Sequence, residues 1–278
     1  MSVMGEPVRH NTVRELAVFF AATFAVSWLL WLPALMMQSR GQSMPIVRDL
    51  LLRAGTFGPT VSGLVLAYIF GGKAGIRSLL RSMLNIHIKP GWLLFTFFVL
   101  PGVSVISCLI YRLIGGKLPQ PQFKLRFIPI AFAYILILMG PLGEESGWRG
   151  FALKRMLRLA APMRSSFFLG IIWTFWHLPL FFIEGTTQNA LAGFGLLPAL
   201  FCYLIYTVMI SILITLLFVM SNCSVLGSMF FHTMGNLSLG AIPLVFSKSG
   251  AVILLVVLCA VTAGFSYKYR KTMFGKEQ

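Results

Sequence analysis

Residues 16–37 contain no charged side chain, and a run of that length has few places to go. A helix rises 1.5 Å per residue and bilayer hydrocarbon is about 30 Å thick, so about 20 mainly apolar residues cross it. The run exceeds a signal-peptide core and no small-residue cleavage pattern follows, so it is read as a retained span. Seven further apolar segments follow at 50–70, 92–114, 127–158, 165–183, 194–220, 225–246 and 251–267. A soluble chain is typically about 45–50% apolar and about 25% charged, whereas this one is 58% hydrophobic and 11% charged. Disorder, collagen and coiled coil are excluded as well, because the apolar runs are long and lack heptad charge. The expected fold class is all-α, a polytopic transmembrane helical bundle of about eight spans.

No internal repeat, low-complexity tract or soluble domain interrupts these segments. Three parts are expected: N-terminal helices with an interfacial segment in residues 1–124, a functional core in 125–246, and a last span with a basic tail in 247–278. The net charge of +16 does not point to nucleic acid, because the basic residues punctuate apolar runs instead of forming a patch with interleaved aromatics. Anionic lipid headgroups are the expected counter-charge. Lys73, Arg77, Arg81 and Lys89 stand among Ile76, Leu79, Leu80 and Leu84, a pattern that suits either a helix lying in the interface or a basic loop. The N-terminus, the connections after the second and fourth spans, and the C-terminal tail hold about two-thirds of the Lys and Arg residues. That bias predicts a multi-pass protein with both termini in the cytoplasm, in a prokaryotic plasma membrane. The four cysteines have no CxxC spacing and are read as packing residues.

Seven carboxylate side chains remain to be placed. Glu6, Glu15, Asp49 and Glu277 lie at termini or span edges, and Glu184 lies in a short polar connection. Glu144 and Glu145 are different: they are adjacent, follow 17 uncharged residues and precede Ser146-Gly147-Trp148-Arg149. An ionisable group at membrane depth costs about 2.5–3.5 kcal/mol even on the lenient insertion scale, so it calls for a function and a partner. Glu145 and Arg149 are four apart and share a helix face, the spacing of an ion pair, whereas Glu144 points about 100° away. Glu144 is therefore expected to be the freer carboxylate, suited to general-base work and directed toward the histidines.

Two of the four histidines lie within apolar segments. His177 closes Trp173-Thr174-Phe175-Trp176-His177 in the fifth, and His232 opens His232-Thr233-Met234-Gly235-Asn236 in the seventh. Asn236 is one helical turn beyond His232 and on its face. A single membrane histidine is most simply a helix-to-helix hydrogen-bond partner. Two of them, an asparagine and a carboxylate pair on three segments match the way sites are built inside bundles, from side chains on facing helices. Gly140-Pro141 and Pro179 loosen the backbone nearby, which is tolerated at depth only against protein or a wet cavity.

These motifs resemble the CAAX protease and bacteriocin-processing family of intramembrane endopeptidases. Its pattern is Glu-Glu-x-x-x-Arg, then Phe-x-x-x-His, then His-x-x-x-Asn or Asp. Here the first is Glu144 to Arg149, the second has Trp173 for the phenylalanine before His177, and the third is His232 to Asn236. The likeness covers roughly residues 125–245. It implies an all-helical bundle that cleaves peptide bonds, best known for removing the last three residues of a prenylated tail, so the partner is a peptide, C-terminal and lipid-modified in the best-known case. The expected roles follow. Glu144, assisted by His177, takes a proton from water, and His232 and Asn236 donate to the oxyanion. Glu145, Arg149 and Trp173 support them.

A zinc ion on Glu144, His177 and His232 is the alternative cofactor, since two imidazoles, a carboxylate and water make a familiar catalytic set. The metal-free scheme is favoured because Asn236 is a poor zinc ligand and a good donor. A proton- or cation-coupled transporter, or a non-catalytic scaffold, could be built from the same residues.

Overall fold

The computed structural model describes residues 6–41 and 44–275, with side chains from residue 11 onward in the first stretch. Glu277 and the side chains of Glu6 and His10 therefore lie outside the described residues. Every regular element among those described is helical. In chain order they are α1 (Glu6–Ser39), α2 (Pro45–Thr56), α3 (Gly58–Met83), α4 (Pro90–Leu113), α5 (Ile128–Leu138) and α6 (Pro141–Glu145). A π-helical segment, Ser146–Leu153, leads into α7 (Lys154–Leu159). Then come α8 (Pro162–Trp176), α9 (Thr187–Ala192), α10 (Leu196–Met220), α11 (Val225–Ala241), α12 (Lys248–Lys268) and α13 (Arg270–Phe274).

Among the described residues six helical segments are long and apolar enough to cross a bilayer: Asn11–Ser39, Gly58–Met83, Pro90–Leu113, Leu125–Leu159, Leu196–Met220 and Lys248–Lys268. Their outward faces carry Leu29, Ile69, Phe98, Leu109 and Val256, all exposed. In water such faces would aggregate, but against lipid tails they are ordinary surface. The chain is an integral membrane protein, a polytopic helical bundle. Of these six, α10 is the most enclosed, packed against α8, α11 and α12.

All eight apolar segments of the sequence are helical, yet two are short. With 15 and 17 residues, α8 and α11 reach only about 22 and 26 Å. They are the two that carry the histidines. Pro179, which has no N–H to continue the ladder, follows α8 at once, and the chain tightens into a 3-10 turn at Leu178–Phe182. The start of α11 is fixed by Ser224, whose Oγ accepts from the Gly227 N–H at 3.0 Å. Both helices lie against longer ones, α8 on α10 and α11 on α4 and α10.

Glycines set the breaks that matter. The expected bend at Gly58-Pro59 is a full junction between α2 and α3. At Gly72 the backbone turns to φ 56°, ψ −152°, and residues 73–83 continue as a separate helical arm, where the charge pattern allowed an interfacial helix. At Gly140, with φ 115°, the fourth segment breaks and α6 begins with Pro141 in its first turn. Beyond α6 the π-helical backbone presses on α3 at two glycines. A Cβ on Gly63 would lie 3.1 Å from the Gly147 Cα, and one on Gly147 would collide with the Pro59 carbonyl. The segment then runs on to Leu159, and Glu144 meets Trp173 in the last turn of α8.

Candidate active site

Short α6 delivers two adjacent carboxylates to the bundle interior, and both are buried, Glu144 at 4% and Glu145 at 0% exposure. Their partners differ. Arg149 Nη1 donates to Glu145 Oε1 at 3.0 Å, and both side chains are sealed from solvent. The same oxygen lies 2.9 Å from His232 Nδ1, so that ring nitrogen is the donor to the carboxylate. The spacing-based ion pair is therefore present, and the expected division of labour is modified. Among the described hydrogen bonds His232 reaches Glu145, whose Oε1 accepts from it and from Arg149 alike.

Glu144 is held by an indole. Trp173 Nε1 donates to Glu144 Oε2 at 2.7 Å. Gly140 clears the other side, since a Cβ there would collide with Glu144 Oε1. The Trp173 ring then contacts each remaining member of the constellation on its side. Arg149 Cζ lies 4.7 Å from a ring centroid of Trp173, a cation–π geometry. The imidazole of His232 meets the ring edge-to-face at 5.3 Å, and that of His177 lies 5.8 Å away.

His177 sits at the C-terminal end of α8, one turn after Trp173. Its Nδ1 is 2.8 Å from the Trp173 carbonyl oxygen. A carbonyl only accepts, so Nδ1 carries the proton and, in the neutral ring, Nε2 keeps the lone pair. Trp176 and Tyr203 hold the ring edge-to-face at 4.6 and 5.4 Å. Asn236 is half-buried on α11, one turn past His232. Glu144, Glu145, Arg149, Trp173, His177 and His232 are thus joined through described contacts, and Asn236 adjoins them through its helix.

Among the described residues no three His, Cys, Asp or Glu side chains form a group able to hold a metal ion. Two participants were not legible beforehand as polar partners. The Trp173 N–H had a signal in its residue type, because a buried indole seeks an acceptor. Tyr203, which accepts from Gln188 Nε2 at 2.9 Å, had none.

Residues 126–238 match the family model for the type II CAAX prenyl endopeptidase, Rce1-like. Over that stretch the chain is similar to the Rce1-like family. It is also 24% identical to CAAX prenyl protease 2 of Methanococcus maripaludis over 266 residues, which is 93% of this chain and 96% of that protein. Every site residue from Glu144 to Asn236 falls inside the Rce1-like stretch. The family is one of endopeptidases, and in a chain of membrane-crossing helices that supports a membrane endopeptidase.

The Trp173 indole can be tested directly. Trp173→Phe keeps a ring beside Arg149 and His232 and deletes only the donor to Glu144. A hydrogen bond to a charged group contributes about 1.5–3 kcal/mol, so kcat/KM is expected to fall by about tenfold or more, with the thermal midpoint little changed. Equal kcat/KM for both proteins would assign the N–H no part in activity.

Proposed function

We propose that the protein hydrolyses a peptide bond at the membrane, with Glu144 as general base. The observation that carries this reading is the buried Glu144 carboxylate, oriented by Trp173 Nε1 at 2.7 Å one helical turn from His177. Glu144, assisted by the Nε2 lone pair of His177, takes a proton from water, and the hydroxide adds to the scissile carbonyl. Asn236 donates its amide N–H to the oxyanion, and His232 donates through Nε2 in its doubly protonated form, its Nδ1–H remaining on Glu145. Collapse of the tetrahedral intermediate breaks the C–N bond, and the leaving amine recovers the proton held by Glu144. Glu145 and Arg149 fix His232 and the ring of Trp173.

The relative is named a CAAX prenyl protease. By that likeness the proposed substrate class is a peptide whose cysteine, fourth from the C-terminus, carries a prenyl chain. A lipid tail would also keep such a substrate at the bilayer, where the site is.

The test uses purified protein in liposomes with two peptides, identical except for a farnesyl group on that cysteine, and mass spectrometry of the products. Release of the C-terminal tripeptide from the farnesylated peptide is expected, and release should persist in chelator-treated protein shown by elemental analysis to be free of zinc. Activity lost with the metal and restored by zinc would overturn the carboxylate mechanism. Counter-flow of a labelled ion without cleavage of either peptide would replace the protease reading with a transporter.

A further inference from the structure

Away from the carboxylates, four segments enclose a cleft of about 690 Å³: the helical arm of residues 73–83, its link to α4, the start of α7, and the turn between α10 and α11. Arg77, Arg81, Lys154 and His87 line it, and no carboxylate does. The ion pairs among the described residues engage Arg53, Arg149, Arg155 and His232, leaving Arg77, Arg81 and Lys154 outside them. Lys154 is half-buried within the cleft wall. Three basic side chains thus line one cleft that no carboxylate lines, and such a site favours a negatively charged group.

The cleft is braced rather than loose. Asn85 Nδ2 donates to the Asn222 carbonyl at 3.0 Å, the Asn85 carbonyl accepts from Ser224 Oγ at 2.6 Å, and Asn85 Oδ1 accepts from the His87 N–H at 3.0 Å. In the facing turn Asn222 and Cys223 hold φ of 53° and 56°. Non-glycine residues keep such conformations only where the surroundings over-determine them, which is common at binding sites.

Its place in the bundle narrows the ligand. Each lining segment is the end of a membrane-crossing helix or the link to the next one, so in a bilayer the cleft lies at the interface. Leu80 and Leu84 line it beside the cations and are exposed, Leu84 at 75%. A small soluble anion has no use for them, whereas a phospholipid places its phosphate on the cations and its acyl chains along the leucines.

We propose that this cleft binds the headgroup of an anionic phospholipid, with the phosphate among Arg77, Arg81 and Lys154. The proposal stands apart from the catalytic assignment. It is tested on the full-length protein by native mass spectrometry with phosphatidylglycerol, phosphatidylcholine and glycerol 3-phosphate as probes. Phosphatidylglycerol is expected to be retained above phosphatidylcholine, and glycerol 3-phosphate should not displace it. Replacing Arg77, Arg81 and Lys154 together by Gln should lower retention on the order of tenfold or more, since each basic residue at a membrane surface adds measurably to anionic lipid binding. The matched variant with Lys117, Lys124 and Arg126 changed to Gln should bind as the unmodified protein does. Should the first triple variant lose its helical circular dichroism, Lys154→Gln alone serves, with a severalfold loss expected. Equal retention of the two lipids, equal loss in both triple variants, or displacement by glycerol 3-phosphate would each overturn the proposal.

Discussion

Glu144→Gln is expected to abolish measurable peptide hydrolysis while leaving the protein folded. A positioned general base typically accelerates a reaction by about 10²–10⁴-fold, and the amide that replaces it has no basic oxygen with which to take a proton. The substitution is otherwise conservative at this position. Glutamine has nearly the same shape, its carbonyl oxygen can still accept from Trp173 Nε1, and Gly140 still leaves room for the other terminal atom. Removing a buried charge that pairs with an indole rather than a cation should cost little stability. Glu145→Gln supplies the contrast, because it takes the counter-charge away from Arg149 and His232 and should lower stability together with activity. The measurements are farnesyl-peptide cleavage in liposomes and thermal loss of helical circular dichroism on the same preparations. Undiminished cleavage by the Glu144 variant would remove it from the mechanism.

The contrast between the two carboxylates shows where sequence reading succeeds. Glu145 and Arg149 share one helix, and a four-residue spacing is enough to pair them, as the 3.0 Å contact bears out. His232 lies on α11, and its contact with Glu145 depends on how two helices cross, which no local spacing encodes. The same limit applies to helix length. Hydropathy registers that the residues of α8 and α11 are apolar, but not that much of their surface faces protein instead of lipid, so both read as full spans. The π-helical Ser146–Leu153 segment lies close against α3 at Gly63 and Gly147, a tertiary contact that no local spacing encodes. By contrast, the long charge-free runs require helices wherever they occur, because lipid offers the backbone no hydrogen bonds. Trp173 lies between these cases. Its place in a motif was legible, but its role as donor to Glu144 required the position of α6.

Arg149→Met is expected to destabilise the protein more than any other single change at the site. The guanidinium is fully buried, with one N–H on Glu145 and its face over Trp173. Removing one partner of a buried ion pair typically costs about 3–5 kcal/mol, since the other charge is left without compensation. Here the stranded group is the Glu145 carboxylate, with the His232 N–H as its remaining described partner. Arg149→Lys should fall between, because an ammonium preserves the charge but neither the planar face over the indole nor the geometry of the guanidinium. If charge compensation is the reason, Glu145→Gln combined with Arg149→Met should recover part of the loss, as pairs in direct contact are non-additive. Stability of all four proteins can be compared by denaturant titration in one detergent. A double variant no more stable than Arg149→Met would mean that the arginine is held for its packing against Trp173 rather than for its charge.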